Sequence, residues 1–322
     1  MFNALKDFSN HINSVILELK VFDFPYKKFD KVVIVGMGGS AIAGSITKEL
    51  ASFEHDIFIE RGYKPTVKID SNTLVIVSSY SGNTEETLSY FSKILNQSTM
   101  IYGICSGGKL LEELKKNNFP HYLLPGGFSP RATLGFTLTL LIKILNEKLL
   151  ENYDLDLFNI LTESFPTENS IVYSDALKIF DTFPVIVTEE ENLSIGYRFK
   201  CQLNENSKMI AYNLSIPEMN HNEIIGWEGD LIDKDFCIIF LIDKVNSYHR
   251  NKKRKEITSK ILPDKVKQLD IELPSQISNN LLMKYFYWIH YTDWVSYWCG
   301  ILRNVDIEAV KSIDLLKKQL SS

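Results

Sequence analysis

Along this chain short apolar runs alternate with stretches whose apolar residues recur every three or four positions, and the alternation predicts most of its elements. Residues 3–20 place Leu5, Phe8, Ile12, Val15, Ile16 and Leu19 on one side of a helix. Lys31–Val35 reads as a strand, Ala41–Leu50 as a helix capped by Ser40, Ile57–Ile59 as a short strand, Leu74–Ser79 as a buried strand and Thr84–Leu95 as a helix. A strand over Thr99–Cys105, a helix over Lys109–Lys116, a strand over His121–Leu124 and an apolar helix over 131–149 continue the order. Asn152, Asp154, Asp156, Pro166 and Asn169 then interrupt it. A second series follows: strand Pro184–Thr188, helix Leu193–Asn206, strand Phe236–Ile242, helix Tyr248–Lys260, short strand Ile271–Leu273, helix Asn280–Leu302 and helix Glu308–Leu320. Strands alternating with helices predict an α/β fold with doubly wound parallel sheets, divided into domains at 1–152 and 153–322. Two such halves suggest a duplication, although no sequence repeat supports one. The aromatic stripe Tyr285, Tyr287, Trp288, Tyr291, Trp294, Tyr297 and Trp298 fits a core or a subunit interface better than a ligand cage.

In open α/β sheets ligands bind beyond the carboxyl ends of the strands. Two turns at such ends stand out. SSYSGNT (78–84) brings Ser78, Ser79, Ser81 and Thr84 between a strand and a helix, with one glycine and no positive charge. Hydroxyls, backbone N–H groups and the positive end of a helix dipole around one point suit a phosphate. An N-capped turn is the plainer alternative, but four hydroxyls exceed what capping requires. GMGGSAIAG (36–44) supplies Gly36, Gly38 and Gly39 followed by Ser40, and reads as a second turn facing the same point. As a dinucleotide fingerprint it is weak, because Ala41 stands at the third glycine and only Glu60 lies near the place of a ribose-binding acid.

Composition narrows the class. The 322 residues, 45% hydrophobic and 23% charged, suit a globular protein with room for two cores. A net charge of −5 favours neither nucleic acid nor an anionic membrane. The basic run His249–Lys255 reads as a solvated helix, so no nucleic-acid partner is expected. No stretch reaches about 18 apolar residues, so no membrane span is expected. Cys105, Cys201, Cys237 and Cys299 form no CxxC pair, which argues against zinc and for free thiols in the cytoplasm.

Turns that hold a phosphate need an acid or a base before they make an enzyme. The polar stretch Phe199–Asp230 offers Glu205, between two asparagines near a helix end, and His221, between two more. The negative end of the helix dipole favours a proton on Glu205, and burial against a substrate would strengthen it as a base. His221 can pass protons to and from ring oxygens near neutral pH. Arg131, after Pro130, could hold a phosphate or a developing enediolate. Taken singly, Glu205 reads more readily as a solvated carboxylate and His221 as a surface histidine, while Arg131 reads equally as a salt-bridge partner.

The set GMGGS (36–40), SYSGNTEET (79–87), SPRATLGF (129–136), NENSK (204–208), NHNE (220–223) and a final ID-x-LK helix (313–317) resembles the bifunctional phosphoglucose/phosphomannose isomerases. The resemblance covers nearly the whole chain and implies two flavodoxin-like sugar isomerase (SIS) domains. It implies that Gly39, Ser40, Ser79, Ser81 and Thr84 bind the sugar phosphate. Glu205 then moves a proton between C1 and C2 through a cis-enediol, Arg131 steadies the enediolate, and Lys317 reaches the sugar ring. His221 assists ring opening from the neighbouring subunit of a homodimer. No cofactor and no metal are implied. One position departs: Val310 stands where a characterised branch carries a threonine credited in the mannose reaction. The rivals are a non-catalytic SIS sugar-phosphate sensor, a SIS isomerase of another sugar phosphate and, more remotely, a dinucleotide-dependent dehydrogenase.

Overall fold

The computed structural model describes residues 1–51, 55–97, 100–229 and 235–320. The chain divides into two compact units. One comprises Asp7–Asp156 with Leu281–Met283; the other comprises Met1–Lys6, Leu157–Asn280 and Lys284–Ser322.

The leading helix is two helices, α1 (Phe2–Lys6) and α2 (Phe8–Glu18). The first sheet and its helices then follow in order: β1 (Lys31–Val35), α3 (Gly38–Ala51), β2 (Asp56–Glu60), β3 (Thr73–Ser79), α4 (Glu85–Ile94), β4 (Met100–Cys105), α5 (Gly108–Lys116), β5 (His121–Leu123) and α6 (Leu134–Leu145). Thr99, expected to open the fourth strand, lies outside the described residues. The sheet is parallel throughout, with the order β2-β1-β3-β4-β5. Every residue of β3 is buried. A parallel strand covered by helices on both faces needs such a continuous apolar run, which is why the run was easy to read. The apolar helix expected over 131–149 is shorter, because Pro130–Ala132 and Glu147–Asn152 form separate 3₁₀ turns on either side of α6.

The second series contains α7 (Leu155–Thr162), α8 (Ile171–Ile179), β6 (Phe183–Glu189), α9 (Leu193–Ser207), β7 (Tyr212–Ile216), β8 (Phe236–Ile242), α10 (His249–Ile261), β9 (Lys267–Glu272), α11 (Leu281–Leu302) and α12 (Lys311–Leu320). Its sheet is also parallel, with the order β7-β6-β8-β9. This matches the first four positions of the first sheet: β6 corresponds to β1, β7 to β2, β8 to β3 and β9 to β4. Both sheets reverse direction between their first and third strands in chain order. Right-handed crossovers that lead away in opposite directions put helices on both faces, so the fold is α/β and doubly wound twice over.

Three elements went unread in the sequence. β7 is an edge strand with an exposed start and a polar core-side residue, Asn213, so its apolar signal is thin. Helix α7 falls in the Asp- and Asn-rich stretch that reads as a domain boundary, and α8 directly follows it; Ser170 caps α8 by accepting from Tyr173 N at 3.2 Å. The aromatic stripe of α11 is core: Tyr285, Tyr287, Trp288, Tyr291, Trp294 and Trp298 are all buried. Among the described residues no helix is long and apolar enough to cross a membrane.

Candidate active site

The first sheet reverses between β1 and β3, so the turns leaving these two strands flank one crevice. Backbone packing there is tight. A Cβ on Gly36 would sit 2.8 Å from the Ser78 carbonyl, and one on Gly39 would sit 3.3 Å from the Pro130 carbonyl. Ser40 does not cap the following helix as expected. α3 starts at Gly38, and Ser40 lies in its first turn, half-buried, where a side chain near the N-terminus meets the positive end of the dipole.

In the second turn, Ser79 Oγ and Thr84 Oγ1 lie 2.9 Å apart. Thr84 is the N-cap residue of α4, with extended φ and ψ of −68° and 118°, yet its hydroxyl makes no capping bond and turns to Ser79 instead. Ser81 is exposed, and its hydroxyl accepts from Asn83 N at 3.2 Å. Ser78 is 1% exposed within β3. Alternation along the strand sends it to the opposite face from Ser79, so three of the four hydroxyls belong to the turn. Gly82 has φ +66°, and a Cβ there would come within 1.8 Å of the Gly107 carbonyl. Only glycine fits, because the turn after β4 presses against this one. Ser106 N and Ser106 Oγ both donate to the Tyr80 carbonyl, at 2.9 and 2.6 Å, and Lys109 N donates to Asn83 Oδ1 at 3.1 Å. The Ser106-Gly107-Gly108 turn, which carried no functional reading in the sequence, is therefore the buttress of the hydroxyl turn.

Tyr80 was also unassigned. Its hydroxyl donates to the Pro125 carbonyl and accepts from Phe128 N, both at 3.0 Å. It thus ties the hydroxyl turn to the segment that leads into Arg131. Arg131 is 5% exposed, inside the 3₁₀ turn Pro130–Ala132, so its side chain is buried and not on the open surface. Glu60 is not available to a ribose. Its carboxylate accepts from Thr66 N, Thr66 Oγ1 and Val67 N at 3.0, 2.7 and 3.2 Å.

Glu205 sits half-buried in the last turn of α9. Its neighbours in NENSK fix that turn. Asn204 Nδ2 donates to the Met209 carbonyl at 3.0 Å, and Asn206 Nδ2 to Ser296 Oγ at 2.9 Å. Ser207 Oγ donates to the Ser296 carbonyl at 2.6 Å. Lys208, in the left-handed region at φ 55°, donates from Nζ to the carbonyls of Glu205 (2.5 Å) and Ala309 (2.8 Å). Deeper along the helix, Arg198 grips Asp293 of α11 through Nε at 3.0 Å and Nη2 at 2.7 Å. Lys208 also brings the Glu205 turn beside Val310, whose carbonyl accepts from Ile313 N and Asp314 N and so begins α12. This helix starts three residues later than the sequence suggests, and Lys317 lies exposed on it.

His221 is exposed and ends the 3₁₀ turn Glu218–His221. The second sheet separates it from Glu205. A Cβ on Gly196 of α9 would meet Asn213 and Thr188, so α9 covers that face. Met219, two residues before His221, packs with Val185, Val187, Phe240 and Ile216 on the other. Asn220 and Asn222 are structural: Asn220 Nδ2 donates to Thr258 Oγ1 at 2.8 Å, and Asn222 Nδ2 to Glu218 Oε1 at 2.8 Å. Asp230, the end of the polar stretch, lies outside the described residues. Cys105, Cys237 and Cys299 are buried and unpaired; burial pushes the Cys237 thiol up to about 11.

A model of the bacterial phospho-glucose isomerase C-terminal SIS domain matches residues 173–320. A bifunctional phosphoglucose/phosphomannose isomerase of Aquifex aeolicus is 36% identical over 300 residues, covering 92% of this chain and 91% of that protein. The chain belongs to this isomerase family. Another relative, of Sulfolobus acidocaldarius, is a D-glucosamine-6-phosphate 4-epimerase, 34% identical over 68% of this chain and 71% of its own. Among solved structures, the C-terminal domain of glucosamine-fructose-6-phosphate aminotransferase from Francisella tularensis superimposes with a TM-score of 0.73 at 16% identity. That match covers 95% of this chain and 97% of that domain, and shows the shared fold. Family membership and the paired sheets agree with the SIS reading of the motifs.

Proposed function

We propose that this protein is a cytoplasmic aldose–ketose isomerase that interconverts glucose 6-phosphate and fructose 6-phosphate, and also mannose 6-phosphate and fructose 6-phosphate. The observation that carries the reading is the crevice of the first sheet, where glycine backbone and the hydroxyls of Ser79, Ser81 and Thr84 meet at the switch point, in a chain aligned with this family over nine-tenths of its length. The backbone at Gly39 and the hydroxyls of Ser40, Ser79, Ser81 and Thr84 hold the phosphate. Its binding energy, remote from the reacting carbons, fixes C1 and C2 against the base. Glu205 takes the proton from one carbon and returns it to the other, and buried Arg131 stabilises the enediolate. Lys317 lies along the sugar ring. The reading calls on no cofactor or metal, since the overall isomerisation needs no external oxidant or reductant: one proton moves between C1 and C2 and a second between O2 and O1. That α9 and the turn bearing His221 cover opposite faces of one sheet supports ring opening by His221 of a second copy in a homodimer.

The test is direct. Incubated with fructose 6-phosphate and EDTA, the protein should yield glucose 6-phosphate and mannose 6-phosphate. No product from protein that still binds the sugar phosphate would refute the isomerase and favour the sensor. The epimerase relative gives a second reading specific content: inversion at C4 of glucosamine 6-phosphate, with no change in fructose 6-phosphate, would establish that chemistry instead.

A further inference from the structure

The second sheet has a crevice of its own where β6 and β8 part, and a cavity of about 240 Å³ lies there. It is bounded by Val187 and Glu189 of β6, Ile216 of β7, Phe240 and Ile242 of β8, and the opening turns of α10. The gap has a sequence cause. α10 (HRNKKRKEITSKI) is polar on every side and buries only Thr258, so its first turns have nothing to fill the apolar face beneath them. The floor is therefore apolar, while Glu189, Ser247, Asn251 and Lys252 form the rim. The Glu205 end of α9 is elsewhere: α9 leaves the carboxyl end of β6, covers the opposite face, and carries Glu205 roughly 20 Å along its axis.

The rim is wrong for an anion. Lys244 is paired with Glu272 at 2.6 Å and Lys255 with Asp270 at 2.5 Å, and Lys252 donates to the carbonyls of Lys244 and Val245 at 2.6 and 3.5 Å. The turn N–H groups of Val245 and Asn246 are filled by Asp243 Oδ1, both at 3.0 Å. Glu189, half-buried, lines the cavity together with Ser247 and Asn251, and its carboxylate can accept hydrogen bonds from a ligand. A carboxylate and an amide over an apolar floor, in a space below that of a drug-sized pocket, suit hydroxyl donors on a compact ring. We propose that this cavity binds a small uncharged polyhydroxylated ligand of the size of one free hexose, separate from the sugar-phosphate site.

The probes are D-glucose, D-mannose and myo-inositol, followed by ligand-observed NMR on the full-length protein. Saturable millimolar binding is expected for at least one of them. Glu189→Gln should weaken it about tenfold, and Asn251→Ala, at a half-exposed helix position, should weaken it similarly if Glu189→Gln impairs folding. Ser79→Ala should leave it unchanged. Absence of saturable binding would overturn the proposal, as would binding that survives both rim variants. Loss of binding with Ser79→Ala would assign the hexose to the isomerase crevice and would equally refute a second site. None of these outcomes depends on turnover, so a failure here is distinct from a failure of the isomerase reading.

Discussion

The two sheets share strand order, direction and switch point, yet their crevices hold opposite chemistry. In the first, the turns after β1 and β3 offer glycine backbone and the hydroxyls of Ser79, Ser81 and Thr84, with the acids Glu85 and Glu86 held back in the helix that follows. In the second, β6 ends on Glu189, the turn after it opens with Glu190-Glu191, and the turn after β8 begins with Asp243. That carboxylate takes the N–H groups of Val245 and Asn246 and pairs with Lys284 at 3.1 Å. It occupies from within the kind of nest a phosphate would fill from outside. The lesson is that topology decides where a crevice forms, while a few turn residues decide whether it accepts an anion, rejects one or is already full. The halves then divide the labour of the proposed reaction, with the first holding the phosphate and the second supplying Glu205 and His221.

The largest effect should come from the chemical half. Glu205→Gln should lower kcat on fructose 6-phosphate by about 10²–10⁴-fold while substrate binding, measured by calorimetry, persists. More than about a tenth of the wild-type rate would remove Glu205 from its role. Mixing Glu205→Gln with His221→Ala protein, each inactive alone, should restore about a quarter of the activity if the dimer pairs sites across two-fold symmetry. Failure to complement, with subunit exchange verified, would place both residues in one chain's site.

In the holding half, Ser79→Ala combined with Thr84→Val should raise KM for the sugar phosphate by about ten- to a hundredfold, the worth of hydrogen bonds to a charged group. An unchanged KM would break the comparison at its first term. For the self-filled crevice, Asp243→Asn should destabilise the protein by about 3 kcal/mol, because Lys284, 9% exposed, loses its counter-ion. The pH dependence has a definite sign. Burial alone would raise the Asp243 carboxyl, but the N–H of Asn246, the Lys284 ammonium and the N–H of Val245 outweigh it and hold it below the ordinary 3.8. Its contribution is therefore complete above that value and is lost as pH falls through the lowered one. The thermal-melt gap between wild type and Asp243→Asn should narrow below about pH 4; a constant gap would show the pair to be electrostatically idle. The smallest effect should be at Val310, which begins α12 beside the Glu205 turn. Val310→Thr should raise mannose relative to glucose product by a few-fold, about 1 kcal/mol for one added hydrogen bond.

Much of this molecule was legible in its sequence. The strands β1, β3, β4 and β8 are buried on both faces, so their apolar runs had to be nearly continuous. The turns at 36–40 and 78–84 stood out because they gather glycine and small hydroxyls where a strand gives way to a helix. NENSK and NHNE carried the family resemblance as words, without showing what each letter does. Tertiary structure alone decided the rest. β7 is held by pairing with β6 and not by its own pattern. Ser106-Gly107-Gly108 and Tyr80 support the hydroxyl turn through backbone contacts that no spacing announces. Asn206, Ser207 and Lys208 fix Glu205 through partners at Ser296 and Ala309, about ninety and a hundred residues away. Asp243 and Lys284 fill the second crevice because two segments forty-one residues apart in the chain meet at a switch point. Local pattern reports what a residue must avoid or bury, whereas a site is made of long-range neighbours, and those exist only once the chain has folded.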